Sequence, residues 1–402
     1  MNPILEVYFI NQFFIMNRII SLLLFFLFLL AGCTEPVQKQ KTCHLTGKVV
    51  DRKSKALKLI NAVTGDYSVQ SVTIPIDSNG NFSYDLKYDT LEAYELAFED
   101  ELTNGLWRPI LFFPDADTLK FVLYPMEKSD SNLIVGGRLS QEKKEMFDNL
   151  MNRFYDVYMK LQRGLDSLKN CETCDPAIVE IYRKKIDSID NTAKYYKLQF
   201  GKEKGDLFGF YQLLEIMHYD SDMRFYSLDT LEKYCNYFQQ KFSGHPYVEI
   251  SKYRFNALKN IKVGGRFIPF SAPDSTGKIW HVSDFILKNK LTLIDLWAPW
   301  CGPCIRKSRK LIPVYEQYKG LGFSIFAVVG GISDKQSYLQ AIRKHPYPWL
   351  VASDINDVNR VWEKYGITKS GGKEFLIDNN GVIVAVDPTP EEIIKHLSRI
   401  SR

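Results

Sequence analysis

The chain has 402 residues, of which 45% are hydrophobic and 25% charged, with a net charge of +5. That length holds two or three domains, and the composition is that of ordinary globular protein rather than a disordered or fibrous chain. The charge is mild and no basic stretch interleaves with aromatics, so nucleic acid is not an expected partner.

The chain opens with a segment that reads as an export signal rather than as fold. Met16-Asn17-Arg18 is a short positive lead, and Ile19 to Leu30 is an almost unbroken apolar run. The run is too short for a membrane-spanning helix. Leu29-Leu30-Ala31-Gly32-Cys33 follows, and small residues ending in Cys resemble a bacterial lipobox. That resemblance implies cleavage before Cys33, lipidation of its sulfur and a membrane-anchored chain, with residues 1–15 an upstream extension and Met16 the natural start. An ordinary signal or anchor helix with an incidental Cys33 is the plainer alternative. Residues 34–42 read as a polar tether. Export places the chain in an oxidising compartment, where disulfides persist.

Residues 43–137 are expected to form a β-sandwich-like domain. Candidate strands are Leu45–Val50, Val69–Ile76, Phe82–Leu86, Tyr94–Phe98, Ile110–Phe113, Leu119–Leu123 and Leu133–Val135. Asp77-Ser-Asn-Gly80 is a turn, followed by the alternation Phe82/Tyr84/Leu86. Residues 138–262 switch to helical period and are expected to form a helical linker domain. Met146, Leu150, Phe154, Val157, Leu161, Leu165 and Leu168 make one stripe, and Ile178, Ile181, Ile186 and Ile189 a second, both read as core. Asp175-Pro176 caps the second helix. Cys171 and Cys174 fall in the loop between these helices, as a local structural disulfide, a second redox pair or an incidental pair. Cys43 and Cys235 are unassigned, and a bridge between them stays open.

From residue 263 to 402 strands and helices alternate, the pattern of an α/β domain. Strands are expected at Leu291–Trp297, Ser324–Val329, Phe375–Asp378 and Val382–Val386, and helices near 301–319, 334–344, 355–365 and 390–400. Trp300-Cys301-Gly302-Pro303-Cys304 sits at the turn from the first strand into the first helix. Two cysteines three apart close a reversible disulfide. A helix N-terminus offers free N–H groups and the positive end of the helix dipole, which favours thiolate at Cys301. Cys301 is therefore the nucleophile. Cys304, one turn in on the same face, resolves the mixed disulfide. Pro303 suits the first helical turn. The alternative, half of a zinc site, lacks two further ligands at metal spacing, so neither metal nor cofactor is expected. Asp295 is a carboxylate inside an apolar strand, which is costly without a partner or a task.

With these residues in view, the C-terminal third resembles the TlpA/ResA-like thiol–disulfide oxidoreductases of the thioredoxin superfamily. The resemblance rests on Ser271-Ala-Pro-Asp274, on Leu293-Ile-Asp-Leu-Trp-Ala-Pro-Trp-Cys-Gly-Pro-Cys304, and on Tyr365-Gly-Ile367 with Phe375-Leu-Ile-Asp378. It implies a thioredoxin-like fold, a Cys301–Cys304 redox disulfide, and a buried Asp295 that accepts the Cys304 proton through water. The β and helical regions resemble, more loosely, the segments preceding thioredoxin in bacterial lipoproteins. Three departures stand out. The position of the usual cis-proline is Gly372, within Gly371-Gly372, which implies a trans and looser loop. Arg309 replaces a helix proline. Lys307 replaces an acidic residue, and the run Arg306–Lys310 is read as a solvated helix face.

The leading functional expectation is an exported, lipid-anchored oxidoreductase in the bacterial envelope, facing the periplasm, on the outer membrane rather than the inner. It reduces disulfides of envelope proteins, cytochrome c maturation among the candidates, and is recharged by a membrane thiol–disulfide electron donor. The Ala272-Pro-Asp274 lead-in raises a thiol peroxidase as an alternative, but Pro299-Trp300-Cys301 lacks the activating Thr or Ser. A non-catalytic binding lipoprotein with a degenerate redox module is the third reading.

Overall fold

The computed structural model describes residues 40–51, 54–65, 70–104, 108–169, 175–219, 226–367 and 371–400. Cys33, Cys171 and Cys174 lie outside the described residues. No described helix is long and apolar enough to cross a membrane.

The first part is two four-stranded sheets. One has the order β4-β1-β7-β8, built from β1 (Lys41–Val49), β4 (Asn81–Tyr88), β7 (Thr118–Leu123) and β8 (Leu133–Val135). The other has the order β3-β2-β5-β6, from β2 (Ala56–Asn61), β3 (Val72–Pro75), β5 (Tyr94–Phe98) and β6 (Ile110–Phe112). Phe112 of one sheet meets Phe121 of the other edge to face at 5.4 Å. The expected turn before β4 forms as an Asx turn, with Asp77 Oδ1 accepting from the backbone N–H of Asn79 at 2.8 Å and of Asn81 at 2.7 Å. Strand β2 was not expected. Lys55 and Lys58 break its apolar pattern and make it read as loop, yet it pairs on both sides, with β3 and β5. Helix α1 (Glu99–Thr103) follows β5.

Six helices form the middle: α2 (Arg138–Leu150), α3 (Asp156–Lys169), α4 (Pro176–Lys204), α5 (Leu207–Tyr219), α6 (Leu228–Lys241) and α7 (Pro246–Asn260). The Asp175 cap is present, its carboxylate accepting from Ala177 N–H at 2.8 Å. The two helical stripes only partly reach a core. Leu165 and Ile186 are buried, but Val157 is 53% exposed and Ile181 50%. The reason is that α3 packs chiefly on the first half of α4, Tyr182 lying against Gly164, while α4 packs on α5 as well, so the outer turns of this pair face solvent. Further along, the helices share one core with the sheets, in which Val63, Ala93 and Phe113 join Phe208, Phe238 and Tyr247. Tyr247 is fully buried, and its hydroxyl accepts from Ala93 N–H at 2.7 Å. Cys43 and Cys235 are free, buried thiols, so no bridge joins them. Burial pushes Cys43 up to about 11, with Asp115 adding, and Cys235 up to about 12, with Glu232 adding. Both are inert in that state.

The last part carries a hairpin of β9 (Ser271–Pro273) and β10 (Ile279–His281), then a five-stranded sheet of order β13-β12-β11-β14-β15. Strand β11 (Leu291–Trp297) is central and entirely buried. It runs parallel to β12 (Phe323–Val329) and antiparallel to β14 (Lys373–Asp378). The edges are β13 (Leu350–Ser353) and β15 (Ile383–Val386), and β13, too short to stand out from its loops, was missed in the sequence. Helices α8 (Val282–Lys288), α9 (Gly302–Tyr318), α10 (Lys335–Lys344), α11 (Val361–Lys364) and α12 (Pro390–Ile400) complete it. The helix expected over 355–365 shrinks to α11, because Asn356, Asp357 and Arg360 all have positive φ, from 52° to 54°. Such residues cannot continue a right-handed helix.

One side chain joins all three parts. Arg254 of α7, 3% exposed, donates from Nε to Glu363 of α11 at 2.7 Å and from Nη1 to the Leu214 carbonyl at 2.9 Å. Its Nη2 reaches the Val63 carbonyl after β2 at 3.5 Å. Removing one partner of a buried ion pair leaves the other charge uncompensated. Arg254→Met is expected to cost about 3–5 kcal/mol in urea unfolding. Pairing it with Glu363→Met should recover much of that loss.

Candidate active site

Residue alternation along β11 decides the site. Leu291, Leu293 and Trp297 lie in the core shared with Leu311 and Val314 of α9, whereas Ile294 and Leu296 lie in the core of the opposite face. A period of two therefore turns Asp295 toward α9. The strand ends at Trp297, and the next turn delivers Cys301 to the N-cap of α9, with Pro303 in its first turn. Cys301 Sγ accepts from Cys304 N–H at 3.3 Å, and the two cysteines are joined as a disulfide. Gly302 leaves this turn unencumbered, its nearest neighbour being the Arg306 guanidinium. Cys301 is 9% exposed, while the Trp300 indole beside it is 53% exposed. The expected helix-terminal placement of the dithiol is thus what the fold builds.

The Gly371-Gly372 loop closes the other side. No peptide bond among the described residues is cis. At Gly371, with φ +93°, an added Cβ would stand 3.2 Å from Cys301 Sγ. At Gly372 it would stand 1.8 Å from the Leu296 carbonyl oxygen, so no side chain fits. Gly372 N–H donates to Cys304 Sγ at 3.3 Å. This pair is packed on the dithiol, and its peptides are trans, as the missing proline implied.

Beneath the disulfide lies a buried charge network. Asp295 is 1% exposed and accepts at Oδ2 from Ser308 Oγ at 2.9 Å. Ser308 stands one helical turn beyond Cys304, whose carbonyl lies 3.1 Å from the same hydroxyl, so its single proton is shared between the two acceptors. Across the sheet, Asp295 pairs in register with Glu374. Lys307 Nζ reaches Glu374 at 3.0 Å and Asp387 at 3.0 Å. Lys307 is therefore no part of the solvated face that Arg306, Arg309 and Lys310 make, because the helix period turns it onto Glu374 of β14 and Asp387 just past β15. Burial, and then the Glu374 charge, push Asp295 up to about 8. Burial raises Glu374 as well, although Lys307 opposes it. Burial works against the Lys307 charge too, but Glu374 and Asp387 together outweigh it and hold the amine above its ordinary range. Arg309 lies off this network, within 3.3 Å of His345 Nδ1. Sequence reading found Asp295 but missed Ser308 and Glu374. An acid in the strand Lys373-Glu374-Phe375-Leu376 was the available clue.

Residues 263–386 match the AhpC/TSA family. Over 150 residues the chain is 24% identical to thiol-disulfide oxidoreductase ResA of Bacillus cereus (strain ATCC 10987 / NRS 248), covering 37% of this chain and 83% of that one. It is 29% identical over 149 residues to the ResA of Geobacillus kaustophilus (strain HTA426), covering 36% and 82%. Among solved structures it is similar to the thioredoxin domain of a thiol-disulfide oxidoreductase from Bacteroides vulgatus, at 24% identity and TM-score 0.31, over 36% of this chain and all (100%) of that one. A thiol:disulfide interchange protein from Bacteroides sp. is 25% identical with TM-score 0.31, over 35% and 90%. The family match and the ResA relatives, with the five-stranded sheet and its dithiol, make the C-terminal part a thioredoxin-like domain and the chain a protein-disulfide oxidoreductase.

An Asp held near 8 when folded, against ~3.9 when unfolded, favours folding only while protonated. Its contribution is complete below about pH 4 and is lost as pH rises through about 8. Oxidised wild-type protein is therefore expected to lose stability across that window. In Asp295→Asn the decline should be smaller, Glu374 supplying what remains, as read by urea midpoints at successive pH values.

Proposed function

We propose that this oxidoreductase works outside the cytoplasm on a lipid tether at Cys33, reducing disulfides of envelope proteins. The observation that carries the chemistry is the dithiol at the N-cap of α9, with the buried acid of β11, Asp295, held by Ser308 one helical turn beyond Cys304. The apolar run before Cys33 supports the location.

In the reduced enzyme the Cys301 thiolate attacks one sulfur of a partner disulfide. A bond forms between Cys301 and that sulfur, and the other sulfur leaves as thiolate. Cys304 then gives up its proton and attacks Cys301 Sγ. The Cys301–Cys304 bond forms, the second partner sulfur leaves, and two electrons have passed to the partner. Burial brings the Asp295 carboxyl up to about 8, so near neutral pH a fraction of it is ionised, and that carboxylate takes the Cys304 proton; Lys307, paired with Glu374, steadies the acids beside it. A membrane thiol–disulfide donor returns the enzyme to its dithiol state.

Cys304→Ser should halt the cycle at the mixed disulfide and retain envelope partners through Cys301. Recovery of no disulfide-linked partner from the native envelope would favour a binding lipoprotein without this activity. Asp295→Asn is expected to slow turnover about 10²-fold, the lower end for general acid–base groups. Turnover equal to wild type would remove Asp295 from the mechanism.

A further inference from the structure

The dithiol does not open onto a bare surface. A cleft of about 370 Å³ runs beside it, and its walls come from all three parts of the chain. Trp300, Gly331 and Gly371 form the side next to the sulfurs. Asp357, Arg360 and Trp362 line it further along. The wall from the earlier parts of the chain is Val63, Thr64 and Gly65 after β2, with Gln70 and with His218 near the end of α5. That wall lies wholly outside residues 263–386, which the relatives share.

The cleft is braced. Arg254 holds the Val63 carbonyl and the Glu363 carboxylate, one on each wall. Arg360 lies over the Tyr253 ring of α7, 5.8 Å from its centre. Among the described residues, three of the five non-glycine positions with positive φ are Asn356, Asp357 and Arg360, all lining this cleft. Strain of that kind persists where the surroundings over-determine the backbone, and it clusters at ligand clamps. Several of the groups that line the cleft are already engaged. Trp300 lies on Gly331 and Trp362 on Gly330, Glu363 is spent on Arg254, and Asp354 on backbone N–H groups of Asn359 and Val361. Glycines at 65, 330, 331 and 371 let a ligand's main chain come close.

We infer that the Val63–Gly65 turn and Gln70 are specificity elements that restrict the redox site to narrow cysteinyl disulfides, carried on a small molecule or on a short projecting segment, and exclude disulfides lying flat on a folded surface. This rests on the oxidoreductase reading. The volume fits, being near the lower end of ligand pockets, about 300–1,000 Å³. The order of parts fits as well, because Cys301 is nearly buried and only a slender chain can pass Trp300 to reach it.

The test is steady-state reduction by the full chain of three probes: oxidised glutathione, a short peptide closed by a disulfide, and a folded protein with a surface disulfide. Thr64 is exposed on the wall, and Thr64→Trp should narrow the cleft. The KM for the peptide should rise about tenfold or more, with the dithiol potential against glutathione unmoved. Gln70→Trp, which lines the same cleft, should shift KM the same way and stands in if the first variant folds poorly. Wild type should favour the slender probes over the folded one. Which slender probe has the higher kcat/KM then tells a small-molecule source from a protein segment. Equal KM values in wild type and both variants, or equal efficiency on the folded disulfide, would overturn the inference while leaving the oxidoreductase intact. A wild type inactive on all three would overturn the activity itself, and this inference with it.

Discussion

Everything at this site hangs on one placement: a cysteine sulfur serving as the cap of a helix that starts where a fully buried strand ends. Cys301 Sγ accepts the N–H that a Ser or Asp side chain takes at an ordinary N-cap. The strand cannot shift, because both its faces are packed and both its edges are paired. A slip by one residue would exchange those faces and turn Asp295 away from α9. The sulfur inherits that rigidity, and the Gly372 N–H meets Cys304 from the other side.

A second constraint is electrostatic. Two acids, Asp295 and Glu374, face each other across neighbouring strands with one cation, Lys307, to share. Desolvation is the largest influence on each acid, and the single lysine does not cancel it. The cheapest arrangement is a neutral Asp295 hydrogen-bonded by Ser308, with charge kept on the outer side, where Asp387 is nearly half exposed. That leaves a proton stored beside a dithiol whose chemistry moves protons. The free cysteines show the contrast. Cys43 and Cys235 are desolvated without a helix end or cation to favour thiolate, and both are driven away from it.

The C-terminal fold and the dithiol were legible in the sequence because they depend on local pattern. An apolar run, a turn and an amphipathic helix define β11 and α9 wherever they occur, and Asp295 stood out as the exception within that run. What escaped depends on register and tertiary contact. Glu374 matters only because β14 pairs antiparallel to β11, and Lys307 only because its helix position faces that pair. Strand β2 was hidden by two lysines whose neighbours alone carry the core. The segment 354–360 reads as helix by composition, but its acids and asparagines bond their own backbone and bend it into a cleft wall. The stripes of α3 and α4 promised more core than the helices had surface to cover.

The central claim is that Cys301 and Cys304 form a reversible two-electron couple while the buried thiols stay apart. The direct measurement is equilibration of the native protein in glutathione buffers, spanning roughly −320 to −180 mV, with alkylation and mass mapping of each cysteine. The account predicts one transition at Cys301 and Cys304 together, lost in Cys301→Ser, with Cys43 and Cys235 unmodified throughout. A pair that stays oxidised, or stays reduced, across that whole span would contradict it.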